Sequence, residues 1–168
     1  MNPIAKETGE RLEILRHEKV VFAESCTGGM AAGLLTQVPG ISSFFCGSAV
    51  TYRVDSKIKW LGVSPRTIEE QTAESRQTTE EMALGALATT PEATIACSIT
   101  GHLGPAVDPR LDGKIFTAIA VRNQGGHVIE SSDFRLKTKA RVERQREAAE
   151  TLLALLNRYL DSLPGDPG

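Results

Sequence analysis

Apolar residues occur along the chain in short runs that are divided by polar, glycine-rich or proline-rich segments. Runs of this length that are rich in Val, Ile, Phe and Thr are typical of β-strands, and a lack of polar alternation indicates strands covered on both faces. The predicted strands are the run that starts at residue 20 and ends in the turn at 24–29, and then residues 44–52, 93–100, 114–122 and 128–136. Turn-forming residues at 123–126 favour an antiparallel hairpin between the last two.

Helical periodicity marks both ends of the chain. Residues 4–16 place Leu12 and Leu15 on one face of a charged segment, which predicts a helix packed on the sheet edge or on a neighbouring subunit. The last helix is predicted at about residues 138–160. Its apolar stripe consists of Val142, Ala149, Leu152, Leu153, Leu156 and Leu160.

Two further helical regions lie between the second and third strands. Residues 55–61 predict a short helix that ends at Gly62. A longer region covers residues 64–88, and its polar stretch predicts a break near 72–75. Its candidate core residues are Met82, Leu84 and Leu87.

This order of elements predicts the α/β class. Helices are expected on both faces of a sheet that is mostly parallel and has one antiparallel partner from the hairpin. In such sheets, ligands bind beyond the carboxyl ends of the strands. The loops at that edge start at Glu24, Tyr52 and Thr100, so we expect the functional site where these loops meet.

The composition is that of an ordinary globular protein, with 40% hydrophobic and 24% charged residues. A length of 168 residues allows one well-buried core, so residues 1–168 are predicted to form a single domain. The net charge of −2 provides no long-range attraction to nucleic acid. No apolar run approaches the roughly 18 residues of a membrane helix and no signal-peptide core is present, so we expect a cytoplasmic protein without membrane contact.

The possible metal ligands are few and scattered. Cys26, Cys46 and Cys97 are an odd number at wide spacing, which fits neither a disulfide framework nor a structural zinc site. No cluster of His, Cys, Asp or Glu has metal-ligand spacing. We therefore expect a reducing compartment, no metal and no cofactor.

The turn at residues 24–29 is the strongest candidate for chemistry. A hydroxyl at a strand-to-helix turn can face a substrate while N–H groups of the helix start stabilise an anion, which makes Ser25 a candidate nucleophile. A serine needs a base, and Lys57 is a suitable one if burial lowers its pKa. The local residues leave two alternatives open: Ser25 or Thr27 only caps the helix, or Cys26 is the nucleophile because a helix N-terminus lowers the pKa of a thiol.

Residues 101–113 form a second candidate segment. A loop of this length that is rich in Gly, Pro and Asp is more often a binding loop than a connector. His102 and Asp108 lie in it, so a base role for His102 is conceivable beside the commoner role of an ordinary loop histidine. The glycines at 28, 29 and 33 match neither the dinucleotide fingerprint nor a P-loop.

Three blocks of the sequence together form a specific pattern. They are Ala23-Glu24-Ser25-Cys26-Thr27-Gly28-Gly29, then Pro39-Gly40-Ile41-Ser42, and then Tyr52 with Lys57 and Leu61-Gly62-Val63. The chain thereby closely resembles the C-terminal domain family of the competence/damage-inducible protein CinA. Further matches in the family's order extend the resemblance over nearly the whole chain, at Glu81-Met82-Ala83, Ile99-Thr100-Gly101 and Gly104-Pro105.

The resemblance implies a fold and an activity. The family fold is a three-layer α/β/α sandwich with a mixed sheet, which agrees with the fold predicted from the pattern. Its members include nicotinamide mononucleotide deamidases, which hydrolyse the carboxamide to nicotinic acid mononucleotide and ammonia without a metal. In that reaction Ser25 would be the nucleophile, Lys57 the base and Tyr52 a supporting residue of the catalytic set. The implied substrate-binding positions are Thr27, Gly28, Gly29, Ser42, Thr100, Gly101 and Lys139.

This chain departs from the family pattern in two places. The family usually has a Gly-Pro-Gly-Gly segment where this chain continues from Gly104 with Pro-Ala-Val-Asp-Pro-Arg. A position that is commonly Arg is Lys139 here, and Arg141 could take over a phosphate contact. The alternative function is therefore a non-catalytic nucleotide-binding or interaction module. The expected partners are a small-molecule nucleotide and, because of the apolar stripes on both terminal helices, further copies of the chain in a homo-oligomer.

Overall fold

The computed structural model describes residues 1–104, 108–122 and 127–164. Within these residues the chain forms five strands, each close to a predicted one. They are β1 (Val20–Glu24), β2 (Phe45–Val50), β3 (Ile95–Gly101), β4 (Lys114–Val121) and β5 (His127–Arg135). The strands form one sheet in the spatial order β2-β1-β3-β4-β5. The predicted turn at 123–126 lies outside the described residues.

The strand directions confirm a mixed, mostly parallel sheet. β1 pairs in parallel with both β2 and β3, whereas β4 pairs antiparallel with β3 and with β5. Among the described strands, β4 is thus the one that opposes the other four. The carboxyl ends of β2, β1 and β3 lie side by side, with β1 in the middle.

Helices cover both faces of the sheet, as predicted for a three-layer α/β/α fold. In the described part of the chain they are α1 (Pro3–Leu15), α2 (Met30–Leu35), α3 (Val54–Leu61), α4 (Pro65–Gln71), α5 (Arg76–Thr89) and α6 (Arg141–Ser162), with a short 3-10 helix at Ile41–Ser43. Alternate side chains of β1 contribute to the two layers, as expected for a strand covered on both faces. Val20 and Phe22 pack with α1, α2 and α6, whereas Val21 and Ala23 pack with α3 and α5.

The long helical region between β2 and β3 is broken as predicted. α4 ends at Gln71 and α5 begins at Arg76, and Thr72 between them has a positive φ of 76°. Met82 and Leu87 are buried core residues, as predicted. The prediction for Leu84 is wrong because this residue lies on the helix face opposite the buried row, where it is 36% exposed.

The two terminal helices pack against each other. Arg11 of α1 donates to the carboxylate of Asp161 at 2.5 and 2.8 Å, and the Asn2 amide donates to Glu150 at 2.8 Å. The leucines of α1 are buried as predicted, but their layer is shared with α6 rather than placed at the sheet edge.

The apolar stripe of α6 is directed inward, with one exception. Five of its predicted members are buried: Ala149, Leu152, Leu153, Leu156 and Leu160. Val142 is 69% exposed, because it lies about 200° around the helix from Arg144, which is on the buried face. The apolar stripes of α1 and α6 therefore pack in the core of this chain. The homo-oligomer stays a prediction, and these stripes no longer support it.

Candidate active site

Ser25 and Lys57 are in direct contact. Ser25 follows the last residue of β1, and its backbone N–H donates to the Ile99 carbonyl of β3 at 3.1 Å. Lys57 lies one turn into α3, and its Nζ donates to Ser25 Oγ at 2.8 Å and to the Thr51 carbonyl at 2.8 Å. Both side chains are buried. The structure thus places a candidate nucleophile and a candidate base within hydrogen-bond distance.

The surroundings of Lys57 favour its neutral form. The side chain is fully buried, and burial lowers the pKa of the amine below its usual value of 10.5. The negative charge of Glu74 opposes this shift and is the next largest influence on the pKa of Lys57. A neutral amine beside a hydroxyl can accept its proton, so the arrangement is chemically competent for general-base catalysis.

Glu24 organises the turn that carries Ser25. Its buried carboxylate accepts hydrogen bonds from Thr27 Oγ1 at 2.7 Å, from Ser48 Oγ at 3.0 Å, and from the N–H groups of Ala31 and Ala32 at 3.0 Å each. Those two N–H groups belong to the first turn of α2, where a negative charge is favourable. The alternative that Ser25 or Thr27 caps the helix is wrong, because Glu24 performs this role from the end of β1.

The glycines of the turn have conformations that other residues rarely adopt. Gly28 and Gly29 have φ values of 62° and 92°. A Cβ atom on Gly29 would also lie 3.3 Å from Val50 Cγ2 of β2. The backbone of this turn can therefore approach a ligand without interference from side chains.

Cys26 is poorly suited to be the nucleophile. Burial raises the pKa of its thiol to about 12, so very little thiolate is present near neutral pH. The expected benefit from a helix N-terminus is absent because α2 begins only at Met30. All three cysteines are free thiols.

Tyr52, which follows β2, and Arg141, which begins α6, are joined by a hydrogen bond. Tyr52 is 53% exposed and follows β2, and its hydroxyl accepts a hydrogen bond from Arg141 Nη2 at 2.9 Å. Arg141 Nη1 donates to the Gly104 carbonyl, in the segment that follows β3, at 2.7 Å. Arg141 thus joins the residues that follow β2 to those that follow β3, and these are the two strands that flank β1.

Thr27, Thr100 and Gly101 lie at or just beyond the carboxyl ends of β1 and β3. Thr27 and Thr100 are buried, and their hydroxyls are engaged with Glu24 and with Thr79, the latter at 2.7 Å. Gly101 ends β3, and a Cβ atom there would lie 2.6 Å from Ile115 Cγ2. The two hydroxyls therefore stabilise the strand ends.

Ser42 and Lys139 lie in different parts of the fold. Ser42 is exposed in the 3-10 helix that precedes β2, at the amino edge of the sheet, and the structure does not bring it to Ser25 within one chain. Lys139 is exposed just before α6 and close enough to Asp112 to lower the pKa of that carboxyl. It thus lies on the same side of the fold as Arg141.

An ion pair that the sequence did not predict joins α6 to the segment that follows β3. Arg144 of α6 is only 4% exposed and donates to both carboxylate oxygens of Asp112 at 2.6 and 2.7 Å. The sequence does hold a clue, because Arg144 is in phase with Ala148 and Leu152 on the buried stripe. The Asp108 carboxylate pairs with Arg110, and the His102 backbone is bonded to that of Lys114 in β4, so the base role of His102 stays a prediction.

Neither a metal site nor a membrane segment is found in the part of the chain that the structure describes. No group of three His, Cys, Asp or Glu side chains there is arranged to hold a metal ion. No helix there is long and apolar enough to cross a membrane.

The fold and the site together define an α/β protein with a buried serine–lysine pair at the carboxyl end of a parallel strand. The profile of the CinA C-terminal domain matches residues 1–160, and the chain belongs to this family. Solved structures agree. A competence-damaged protein (CinA) superfamily protein from Klebsiella pneumoniae superposes with a TM-score of 0.85 at 27% identity, over 95% of this chain and 97% of that one.

Two further relatives extend the comparison. The competence/damage inducible protein CihA from Agrobacterium tumefaciens has a TM-score of 0.84 at 31% identity, over 96% of this chain and 98% of that one. A CinA-like protein from Solibacter usitatus is 43% identical over 126 residues, which are 70% of this chain and 30% of that protein. The chain spans about a third or less of the length of the curated relatives that it matches.

Proposed function

We propose that this protein is an amidohydrolase that deamidates nicotinamide mononucleotide to nicotinic acid mononucleotide and ammonia. The observation that carries the proposal is the 2.8 Å hydrogen bond between Lys57 Nζ and Ser25 Oγ, in a setting where burial lowers the pKa of the lysine. A hydroxyl is a weak nucleophile until a neighbouring base accepts its proton, and a buried amine is such a base. Membership of the CinA family supports the proposal.

The proposed reaction has two halves. Ser25 Oγ attacks the carboxamide carbon while neutral Lys57 accepts the hydroxyl proton, and the resulting oxyanion is held by N–H groups of the turn around Gly28. Lys57 then returns the proton to the amide nitrogen, so that ammonia leaves and an ester with Ser25 remains. Water hydrolyses this ester with Lys57 again as the base, which releases the carboxylic acid and regenerates the hydroxyl.

The substrate contacts follow from the residues around the pair. Arg141 and Lys139 are cationic and lie at the start of α6, which suits them to the phosphate of the nucleotide. The exposed ring of Tyr52 offers a face for the pyridine ring. Gly28 and Gly29 allow the carboxamide to approach the backbone.

The test is ammonia release from nicotinamide mononucleotide by the purified protein. We expect release by the wild type, and a fall in kcat of about a thousandfold or more in Ser25→Ala. Ser162→Ala is the matched control, since it removes a hydroxyl at the far end of α6 that donates to the Tyr159 carbonyl. A wild-type protein without ammonia release, or an active Ser25→Ala variant, would contradict the proposal.

Nucleotide binding without turnover is the second candidate. It is favoured by the Tyr52–Arg141 hydrogen bond, which engages the side chain of Tyr52 that the catalytic set would require. Calorimetry that detects tight binding of the mononucleotide, together with no ammonia release, would support this candidate over the amidase.

A further inference from the structure

The buried guanidinium of Arg144 makes several hydrogen bonds to the segment that follows β3 and to the residues before α6. Besides its two bonds to the Asp112 carboxylate, it donates from Nη1 to the Leu103 carbonyl at 3.1 Å and from Nε to the Thr138 carbonyl at 3.0 Å. Leu103 and Asp112 lie at the two ends of the segment that follows β3, by which we mean the described residues 103–104 and 108–112, and Thr138 precedes α6. One side chain thus ties both sides of the segment to the start of the last helix.

Gly104 and Gly113 lie close to this ion pair. A Cβ atom on Gly104 would lie 2.7 Å from Arg144 Nη1 and 2.7 Å from Asp112 Oδ1, and one on Gly113 would lie 3.6 Å from Arg144 Nη2. Both glycines also have positive φ values, 66° and 73°. At Gly104 the backbone can approach the guanidinium only because there is no side chain, whereas at Gly113 a Cβ atom would have room and it is the positive φ that favours glycine.

The pair is strong by its geometry. Two parallel bonds join the planar guanidinium to the carboxylate, and the arginine is removed from water, where such charge-assisted bonds are strongest. In keeping with this, Arg144 holds the pKa of Asp112 below its usual value. The carboxyl group therefore stays ionised, and the pair intact, throughout the neutral pH range.

The pair is connected to the candidate active site through one carbonyl group. The Gly104 carbonyl, adjacent to the Leu103 carbonyl that Arg144 binds, accepts the bond from Arg141. Arg141 also contacts Tyr52. A displaced segment would therefore release Arg141 and change the cationic side of the site, without moving Ser25 or Lys57.

We propose that Arg144 and Asp112 are a positioning pair that fixes the segment after β3 and thereby sets the affinity for the nucleotide, with no part in bond making. This inference rests on the proposed function for its kinetic consequence, but its structural half can be tested without any activity. The chain offers a reporter for that half, because Arg110 lies inside the segment with a side chain that is 88% exposed.

The first measurement is the rate of trypsin cleavage after Arg110, followed by mass spectrometry of the fragment 1–110. We expect Arg144→Gln and Asp112→Asn to increase this rate by about fivefold or more, since cleavage requires local opening of the segment. Asp112→Glu keeps a carboxylate and should restore most of the protection. Arg158→Gln is the matched control, because it removes an exposed ion pair with Glu130 from the same helix.

The second measurement is the kinetics of ammonia release by the same variants. We expect KM for nicotinamide mononucleotide to rise by about tenfold in Arg144→Gln and Asp112→Asn while kcat changes by less than about twofold, because binding geometry is lost and the serine–lysine pair is kept. The double variant should be no worse than either single one, since both remove the same pair.

The outcomes separate this inference from the proposed function. Folded variants with unchanged cleavage after Arg110 would overturn the positioning role, whatever their activity. Faster cleavage with a loss of kcat at unchanged KM would overturn the link to affinity. If the wild type releases no ammonia, the proposed function fails, and the inference then stands or falls on whether calorimetry gives a weaker Kd for the mononucleotide in Arg144→Gln. If Arg144→Gln does not fold, Asp112→Asn and Asp112→Glu provide the same comparison.

Discussion

Lys57 is an ionisable residue whose side chain is fully buried. Among the described residues, its Nζ donates to Ser25 Oγ and to the Thr51 carbonyl, and neither acceptor carries a full negative charge. Burial therefore dominates over the attraction of Glu74, and the pKa of the amine is lowered. At the residue scale, the site depends on this balance, because only the neutral amine can accept the serine proton.

The lowered pKa predicts the pH dependence of activity. The neutral fraction of Lys57 grows as the pH rises through its folded-state pKa, so kcat/KM for ammonia release should increase with pH and level off below the usual lysine value of 10.5. Glu74→Gln removes the charge that opposes the shift and should move this profile to lower pH. An unchanged profile in that variant would contradict the assignment of Lys57 as the base.

The same pKa shift predicts a stability change that needs no substrate. Between the folded-state pKa and 10.5, the unfolded chain binds more protons at Lys57 than the folded chain does, so the unfolding free energy rises with pH in that window. Compared with Lys57→Met, the wild type should gain stability as the pH rises from the lowered folded-state pKa of Lys57 toward 10.5, with a slope of up to about 1.4 kcal/mol per pH unit. Urea unfolding of both proteins measures the difference, and parallel curves would argue against a lowered pKa.

At the scale of elements, the site is a meeting of strand ends rather than a single motif. β1 supplies Glu24 and leads into Ser25, the segment after β2 supplies the Thr51 carbonyl, and α3 supplies Lys57. The Thr51 N–H also donates to the Glu24 carbonyl at 2.8 Å, which holds the ends of β1 and β2 together. The distance between the candidate nucleophile Ser25 and the candidate base Lys57 is therefore set in part by the pairing of β1 with β2.

We expect Glu24 to stabilise the start of α2 rather than to take part in catalysis. Glu24→Gln removes a buried charge from the start of α2 and directs amide hydrogens toward N–H groups that need acceptors, so we expect a loss of about 2 kcal/mol in unfolding free energy. The exposed Glu92→Gln is the matched control and should change stability by less than about 0.5 kcal/mol. Chemical denaturation measures both, and equal effects would show that Glu24 is not the anchor of the turn.

The element pattern could be predicted from the sequence, whereas the contacts of the site could not. Apolar runs and turn residues were enough for five strands and for the break between α4 and α5. Local sequence left Ser25 open as a helix cap, because the carboxylate that caps α2 comes from β1. Arg144 and Asp112 are 32 residues apart, and a pair at that distance leaves no periodic trace beyond an arginine in a buried stripe.

At the scale of the whole molecule, the two helical layers differ in how they are filled. The layer of α1, α2 and α6 contains large side chains such as Phe22 and Leu152, whereas the layer of α5 meets small strand residues such as Ala23 and Ala96. Small residues let α5 lie close to the sheet and to α3. The position of Lys57 on α3 therefore depends on close packing in this second layer.

Gly85 tests that close packing. A Cβ atom there would lie 1.9 Å from the Leu61 carbonyl oxygen at the end of α3, so Gly85→Ala should destabilise the fold by about 2 kcal/mol or more. Gly33→Ala is the opposite case, since no described atom outside the local helix backbone lies within 4 Å of its Cβ position, and it should stabilise by about 0.5 kcal/mol. Thermal or urea unfolding of the two variants measures the contrast, and effects of the same sign would contradict this view of the layers.

The most direct test of the central claim is a search for the ester between Ser25 and the nucleotide. The protein is mixed with excess nicotinamide mononucleotide, quenched in acid within the first turnover, and analysed by peptide mass spectrometry. We predict a mass increase equal to the mononucleotide minus ammonia on the peptide that contains Ser25, and its absence in Ser25→Ala. Ammonia release by the wild type without that adduct, and with undiminished activity in Ser25→Ala, would contradict the account.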